Sequence, residues 1–318
     1  MLKASYKTKH FLFLTVKLLL VFAALFFLHY QLVQKGGWSQ LNFTAFPIYA
    51  LIMALILSCC NWFTEFLKWR SLVKSLCSIN LSQATKQSLI AFTLGVFTPN
   101  KIGEFGIRPL FFQKGLRKKI ALLTGMHHFT QLLATLIFGV FGFAFLLFKF
   151  PALQKFERPV IATFILGLFV ALLLIVIRKK KWVTFPFLNK SIQFVLQIKK
   201  DTFVRSFKYS IIRYVIFSHQ FYFLLYVFNL EYTYVEVYAG ITTVYFLSTL
   251  LPAISFFDIV VKASIGILVF DLLAIDEVIV IQVMALMWLL NYVLPLLLGS
   301  VYVLQLRYPA NNNTWKVL

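Results

Sequence analysis

The sequence predicts an all-α polytopic membrane protein, and the observations behind this prediction concern composition and segment length. Hydrophobic residues occupy 61% of the 318 positions and charged residues only 13%, whereas soluble domains have about 45–50% and about 25%. The mean hydropathy is +0.85. Several apolar segments also reach about 20 residues, the length that crosses a hydrocarbon core of about 30 Å. These features exclude a soluble enzyme, a secreted disulfide scaffold and a disordered chain.

Six segments are long enough to be full transmembrane spans. The first follows a basic N-terminus, but it has no small-residue cleavage site and is too long for a signal-peptide core, so we interpret it as a retained helix. The remaining five are separated by connections that carry most of the charged residues. The predicted spans are residues 11–33, 45–67, 119–148, 160–178, 209–230 and 279–304.

Two further apolar segments are too short to cross the membrane. Residues 87–97 end just before Pro99, and residues 237–251 end at Pro252. Short apolar segments broken by proline are typical of half-helices that enter and leave the membrane on one face. The sequence therefore predicts two re-entrant broken-helix hairpins, although a model of eight full spans, in which the second segment crosses completely, remains open.

Charge in the loops predicts the orientation. The chain has 31 Lys and Arg against 10 Asp and Glu, a formal net charge of +21. Because cytoplasmic loops collect Lys and Arg, this excess indicates orientation and contact with anionic lipid headgroups, and not nucleic-acid binding. Basic residues flank the first broken segment and acidic residues flank the second. Both termini are thus predicted to be cytoplasmic, with one hairpin entering from each face.

The order of these segments predicts an internal repeat within one membrane domain, residues 1–318. Residues 1–150 and 155–318 each contain two spans, a hairpin and a third span. Because three spans is an odd number, the second half must be inverted relative to the first. Inverted repeats with broken helices are typical of transporters that bind their substrate near the midplane. Residues 182–208 are predicted to form an amphipathic surface helix, with a plain basic loop as the alternative.

Charged pairs mark both hairpins as candidate substrate-binding elements. Glu104 and Arg108 are four residues apart, as are Asp258 and Lys262, so each pair lies on one helix face. Ionisable groups at membrane depth usually face each other or a polar cavity. Together with Lys101, the two bases could bind phosphate, while the acids orient them. The alternative is that each pair only neutralises itself and holds the hairpins together.

Several other polar residues are secondary candidates. Glu65 could line the same cavity as the charged pairs or form an interfacial salt bridge with Lys68 or Lys74. His127 and His128 are interpreted as polar packing residues because no carboxylate or cysteine stands at metal-ligand spacing. A kink is predicted in the last span at Asn291 and Pro295. The secondary site candidates are Asn61, Glu65, Arg70, Pro99 and Pro252.

Catalytic and cofactor motifs are not found in the sequence. It lacks an HExxH zinc motif, a GxSxG nucleophile motif and a GxxxxGK[ST] phosphate loop. The three cysteines, of which Cys59 and Cys60 are adjacent, give neither a CxxC pair nor an even disulfide framework. We therefore assign no catalytic residue, metal or cofactor, and we expect transport to be downhill or ion-coupled.

The first hairpin carries a resemblance to a known family. Trp69 and Arg70, the stretch from Gly95 to Pro99, and the run from Lys101 to Glu104 followed by Arg108 resemble the TP-x-x-(I/L)-GE…R signature of the lysylphosphatidylglycerol synthase transmembrane-region family, also called flippase-like. Pro252, Asp258 and Lys262 resemble its later motif more loosely. Many members are Gly-rich before the second acid, whereas this chain has Ala-Ile-Ser-Phe-Phe at 253–257.

The resemblance implies a lipid-handling protein of the bacterial inner membrane. The soluble aminoacyltransferase domain of the two-domain relatives is not found in this sequence, so synthase activity is not expected. The leading hypothesis is a translocase or carrier of anionic or lipid-linked substrates. One alternative is a membrane enzyme acting on a lipid headgroup or polyprenyl phosphate, with Glu104 as general base. Another is a non-catalytic subunit of a lipid-modifying complex. The expected partners are membrane lipids, with a homo-oligomer or a lipid-synthesis partner left open.

Overall fold

A computed structural model describes ten stretches of the chain. The side chains of Asp258, Arg307, Lys316 and Val317 are outside this description. The described stretches are residues 26, 29, 46–96, 98, 101–151, 194, 198–228, 231–251, 258–307 and 316–317.

The described residues are mostly helical, as predicted. Two-residue strands, β1 and β2, pair Leu306 with Val317 and Arg307 with Lys316 in antiparallel register, a small exception to the all-α prediction. The α-helices are α1 (Ile48–Val73), α2 (Leu81–Gly95), α3 (Gly103–Ile107), α4 (Arg117–Lys149), α5 (Lys200–Tyr226), α6 (Tyr234–Leu250), α7 (Asp258–Asp271), α8 (Glu277–Trp288) and α9 (Leu294–Leu304), with short 3₁₀ helices at Arg108–Phe111 and Lys114–Leu116, a π-helical turn at Leu289–Val293, and β1 (Leu306–Arg307) and β2 (Lys316–Val317).

Three described helical segments are long and apolar enough to cross a membrane, and all three fall where spans are predicted. They are Ile48–Val73 with 26 residues, Lys114–Lys149 with 36 and Glu277–Leu304 with 28. At 1.5 Å per residue each exceeds a hydrocarbon core of about 30 Å. The predicted spans 11–33 and 160–178 lie outside the described residues, apart from isolated positions 26 and 29.

The predicted boundary between the surface helix 182–208 and the span 209–230 is wrong. Helix α5 begins at Lys200 and continues without a break to Tyr226. Phe203, Phe207 and Ile211 follow one another at i+4 spacing, and all three pack against the hydrophobic core. Because this apolar stripe continues from residue 203 into the predicted span, one helix covers residues 200–226.

The first broken segment contains two helices joined by a tight turn. Helix α2 starts with a capping box in which the Asn80 and Gln83 side chains bind each other's backbone amides. After α2 ends, Thr98 Oγ1 donates to the Gly95 carbonyl at 2.5 Å and accepts from the Gly103 amide at 2.7 Å. Lys101 lies between them with φ 56°, a left-handed conformation that non-glycine residues rarely adopt. This turn brings α3 back against the end of α2.

The second broken segment also contains two helices. Helix α6 has 17 residues and helix α7 has 14, so at 1.5 Å per residue neither reaches about 30 Å. Pro252, where the break is predicted, lies outside the described residues.

The last span contains the predicted irregularity, with a structural cause. The helix opens into a π-helical turn at Leu289–Val293, directly before Pro295. Proline has no amide hydrogen, so the Asn291 carbonyl four residues earlier loses its helical donor. The Trp62 indole donates to that carbonyl at 3.2 Å, and the Ser58 hydroxyl donates to the Leu290 carbonyl at 2.7 Å. Helix α1 therefore supplies the hydrogen bonds that the break removes.

The helices pack in a reciprocal pattern, in which a helix of each broken segment contacts a helix from the other half of the chain. Helices α1 and α5 pack on each other, α2 packs on α9, and α6 packs on α4. Glycine permits the closest approaches: a Cβ on Gly142 of α4 would lie 2.9 Å from the Ala239 carbonyl oxygen of α6, and a Cβ on Gly299 of α9 would lie 2.6 Å from the Leu89 carbonyl oxygen of α2. Each broken segment thus packs on a helix from the other half of the chain.

Candidate substrate site

A charged cavity of about 290 Å³ lies among helices α1 to α8 and the π-helical turn. Its wall combines aromatic rings with ionisable side chains, an arrangement suited to an amphiphilic ligand. Among the described residues that line it, bases outnumber carboxylates four to two. The bases are Lys101, Arg108, Arg213 and Lys262, the carboxylates are Glu65 and Glu104, and the aromatic residues are Trp62, Phe92, Tyr214, Phe217, Tyr245, Trp288 and Tyr292.

Arg108 is a central residue of the cavity wall. It follows α3 in the 3₁₀ helix and is 1% exposed. Its Nε and Nη2 donate to Glu104 Oε2 at 3.1 and 2.9 Å, and Nη2 also lies 3.3 Å from Glu65 Oε1. The guanidinium lies 4.2 Å from the Trp69 ring centroid, within cation–π distance. Within the described part of the chain, Arg108 Nη1 is buried without a hydrogen-bond partner, so the described residues do not use all the donors of this guanidinium.

Glu65 connects three elements of the structure. The carboxylate is 5% exposed on α1. Its Oε1 accepts from Arg108 Nη2 of the 3₁₀ helix and lies 2.7 Å from His127 Nε2 of α4, while Oε2 accepts from Arg213 Nη1 of α5. Lys68 is fully buried nearby, and its Nζ donates to the His127 carbonyl at 2.8 Å. The described ion pairs of Glu65 are with Arg108, His127 and Arg213, so the structure favours the cavity position over an interfacial salt bridge with Lys68 or Lys74.

Arg213 is a cavity residue that the sequence analysis did not single out. It lies on α5 inside the predicted span 209–230, and its Nε donates to Asn61 Oδ1 at 3.1 Å in addition to the Glu65 contact. A lone arginine within an apolar span is itself a signal of a functional site. That signal was present in the sequence, but the pairing with Glu65 depends on contact between two helices distant in the chain.

A chain of amide hydrogen bonds extends from Arg213 across the bundle. Asn61 Nδ2 donates to Asn291 Oδ1 at 3.0 Å, Asn291 Nδ2 donates to Gln220 Oε1 at 2.9 Å, and Gln220 Nε2 donates to the Ala54 carbonyl at 2.8 Å. Every amide donates to one neighbour and accepts from another, so the orientation of each side chain is fixed by the next. Asn61 thereby joins the last span to the cavity wall.

The two histidines each contact a carboxylate from another element. His127 is 3% exposed and contacts Glu65, and His128 Nε2 lies 3.5 Å from Glu104 Oε2 with its ring stacked on Phe105. A bond from His127 Nε2 to a carboxylate places a proton on that nitrogen. The polar role predicted for the histidines agrees with these contacts, but their partners come from α1 and α3, beyond the reach of spacing arguments within α4.

Lys101 and Lys262 reach the cavity from the two broken segments. Lys101 Nζ lies 4.7 Å from the Phe92 ring centroid and 5.9 Å from that of Tyr292. Lys262 of α7 is half-buried, and its Nζ lies 5.9 Å from the Tyr245 ring centroid. Both ammonium groups therefore lie beside aromatic faces on the cavity wall. Asp258 begins α7, but its side chain is outside the described part of the structure. The predicted pairing of Asp258 with Lys262 therefore stays a prediction.

Three of the secondary candidates do not belong to the described cavity wall. Arg70 is half-buried at the end of α1, where its Nε donates to the Ile79 carbonyl at 3.3 Å. That bond anchors the α1–α2 connection. Pro99 and Pro252 lie outside the described residues. The structure thus brings together Lys101, Glu104, Arg108, Lys262, Asn61 and Glu65, and adds Arg213.

The central cavity suits a ligand that carries an anionic group next to a hydrocarbon chain. Arginine binds phosphate and carboxylate through several fixed donors, and one donor nitrogen of Arg108 is buried without a partner among the described residues. Aromatic residues offer apolar contact area on the same wall. Long apolar helices around a charged internal cavity are the features of an integral membrane protein with a polar cavity inside its helical bundle.

Comparison with known protein families identifies the family of this chain. The chain belongs to the lysylphosphatidylglycerol synthase TM region family, whose model matches residues 14–299. This match confirms the family indicated by the hairpin motif and covers most of the chain. A comparison with individually curated proteins finds no match.

Proposed function

We propose that this protein is a flippase-like lipid translocase or carrier whose central cavity binds the phosphate-bearing headgroup of an anionic or lipid-linked substrate. The observation that carries the proposal is Arg108, which is 1% exposed, lines the cavity and has one buried guanidinium nitrogen without a partner among the described residues. Membership of a lipid-associated membrane family agrees with a lipid substrate.

Charge balance supports an anionic substrate. The described cavity wall carries four bases against two carboxylates. Glu65 and Glu104 partly neutralise Arg108 and Arg213, so the arginines are held in place without being saturated. The excess of bases on the described wall favours an incoming phosphate. The carboxylates orient the bases and could accept a headgroup ammonium.

Reciprocal packing supports a transporter arrangement. Helix α2 of the first broken segment packs on α9, and helix α6 of the second packs on α4. We propose six spans with one re-entrant hairpin from each face, in two inverted repeats, residues 1–150 and 155–318, with both termini in the cytoplasm of a bacterial cell. In such repeats the substrate site lies where the halves meet, and residues from both halves line the cavity.

The carrier hypothesis is favoured over the enzyme hypothesis by the contacts of Glu104. Its Oε2 accepts two hydrogen bonds from Arg108 and lies 3.5 Å from His128. A carboxylate held by arginine in this way is a poor proton acceptor. Glu104 is therefore better suited to positioning Arg108 than to general-base catalysis.

A reconstitution experiment tests the proposed function. The purified chain is placed in liposomes that contain fluorescent phosphatidylglycerol, and transfer between leaflets is followed by chemical quenching of the outer leaflet. We expect transfer with the unaltered protein and its loss in Glu104→Gln/Arg108→Gln, which removes both members of the pair. Arg70→Gln serves as a matched control, because Arg70 lies outside the cavity wall.

The same samples discriminate between the hypotheses. A carrier moves the labelled lipid without changing its mass, whereas an enzyme yields a lipid of different mass. Equal transfer in the unaltered protein, the double variant and protein-free liposomes would contradict the carrier hypothesis for this lipid class.

A further inference from the structure

A second cavity, of about 410 Å³, lies at the end of the bundle where three helices meet. It is formed by the C-terminal end of α1 and the N-terminal ends of α4 and α5, and it shares no lining residue with the central cavity. We call it the rim pocket. Its lining residues are Ser71, Lys74, Ser75, Leu76, Lys119, Phe194, Ile198, Lys199, Thr202 and Arg205.

The charge of the rim pocket has a single sign. Four of its described lining residues are bases, Lys74, Lys119, Lys199 and Arg205, and none of them is Asp or Glu. The central cavity, by contrast, pairs its bases with two carboxylates. Four like charges from three helices around one concave surface repel one another, and a bound anion would relieve that repulsion.

The pocket also has an apolar side. Leu76, Phe194 and Ile198 lie on its wall and pack against the hydrophobic cluster that contains Leu72 and Ile120. Lys119 Nζ lies 5.6 Å from the Phe194 ring centroid. The Ser71 and Ser75 hydroxyls donate to carbonyls of their own helix, at 3.0 and 2.7 Å. The bases are therefore the main groups available to bind an anion there.

We propose that the rim pocket is a second, phosphate-binding site, separate from the central cavity. The bases contributed by α1, α4 and α5 would contact the phosphate oxygens, and the apolar wall would contact an attached chain or ring. Basic pockets between membrane helices bind phospholipid headgroups in this way. The ligand is the phosphate group of an anionic lipid or of a soluble phosphate compound. This assignment is independent of what the central cavity binds.

Two matched triple variants test the assignment. Lys119→Gln/Lys199→Gln/Arg205→Gln removes three bases from the pocket wall. Lys118→Gln/Lys200→Gln/Lys208→Gln removes three bases from the same regions of the chain that are exposed like the pocket bases but do not line the pocket. The net charge of both variants is the same, so a general attraction to anions weakens equally in the two.

Binding is measured on the full chain with two probes. Pyrophosphate is titrated calorimetrically in zwitterionic detergent, and phosphatidylglycerol retention is counted by native mass spectrometry. We expect the pocket variant to lose about tenfold or more in affinity for at least one probe, while the control stays within about twofold of the unaltered protein.

The pattern across the probes identifies the source of the phosphate. A loss confined to phosphatidylglycerol assigns the site to a lipid headgroup, and a loss that includes pyrophosphate assigns it to a soluble phosphate compound. Equal losses in the two variants, or unchanged affinity for both probes in the pocket variant, would overturn the proposal.

Discussion

Arg213 of α5 donates a hydrogen bond to Glu65 of α1 inside the central cavity, although the two residues are 148 positions apart in the chain. The same carboxylate also contacts Arg108 and His127. Glu65 is therefore the common partner through which α1, α4, α5 and the first broken segment are joined. We therefore expect the arrangement of the cavity to depend strongly on this one carboxylate.

Glu65→Gln is expected to destabilise the protein much more than Arg213→Gln. Loss of the Glu65 charge removes a partner from Arg108 and Arg213 together, and breaking a buried ion pair in this way costs about 3–5 kcal/mol. Arg213→Gln leaves Glu65 with Arg108 and His127, so we expect a cost of about 1 kcal/mol. Equilibrium unfolding in mixed micelles measures both free energies.

The double variant Glu65→Gln/Arg213→Gln serves as the control for this prediction. Glu65 and Arg213 are in contact, so their substitutions should not be additive. The losses of unfolding free energy in the two single variants should sum to more than the loss in the double variant. A cost for Arg213→Gln as large as that for Glu65→Gln would show that Glu65 is not the common partner.

Lys101→Gly is expected to separate the backbone role of Lys101 from its charge. Its φ of 56° is strained for lysine but readily adopted by glycine. We therefore expect the free energy of unfolding to rise by about 1 kcal/mol while the affinity for phosphatidylglycerol falls. Native mass spectrometry and unfolding on the same preparation check both results.

Lys101→Gln is the companion variant, since it removes the charge but keeps the left-handed strain. Its affinity for phosphatidylglycerol should fall, and its free energy of unfolding should not rise. Unchanged affinity in both variants would exclude Lys101 from the ligand site.

Gly142→Ala and Gly299→Ala are expected to disturb the reciprocal packing of the broken segments. The added Cβ would lie 2.9 Å from the Ala239 carbonyl oxygen in the first case and 2.6 Å from the Leu89 carbonyl oxygen in the second. Each helix pair must then move apart, at a cost of about 1–3 kcal/mol for overpacking. Thermal unfolding in detergent should show a lower midpoint for both variants.

Gly106→Ala provides the matched control, because a Cβ there meets nothing within 4 Å. The midpoint should stay the same or rise slightly, since alanine favours the helix. A midpoint for Gly142→Ala and Gly299→Ala equal to that of the control would contradict the close packing of α4 with α6 and of α2 with α9.

Much of the fold followed from the sequence because hydrophobic segment length is a strong signal. The helices at Ile48–Val73, Lys114–Lys149 and Glu277–Leu304 lie where apolar length predicts spans, and the π-helical turn before Pro295 lies where a proline predicts a kink. The start of α5 was missed because lysine and arginine residues interrupt its apolar run, while the i+4 stripe through Phe203 and Phe207 continues.

The side-chain pairings of the candidate site were predictable only between residues close in the sequence. Glu104 and Arg108 pair as their i, i+4 spacing predicts. The links from Glu65 to Arg213 and from Asn61 to Asn291 connect different helices. Such contacts depend on which helix faces meet, and spacing within one helix carries no information on that.

The most direct test of the central claim is native mass spectrometry of the detergent-purified protein for co-purifying lipid. The samples are the unaltered chain, Glu104→Gln/Arg108→Gln, Lys262→Gln as a variant that removes a cavity base of the second broken segment, and Arg70→Gln as the control. We predict one defined phosphate-bearing lipid on the unaltered chain and on Arg70→Gln, lost from the double variant and reduced in Lys262→Gln. The same mixed lipids on all four samples would contradict a headgroup site in the central cavity.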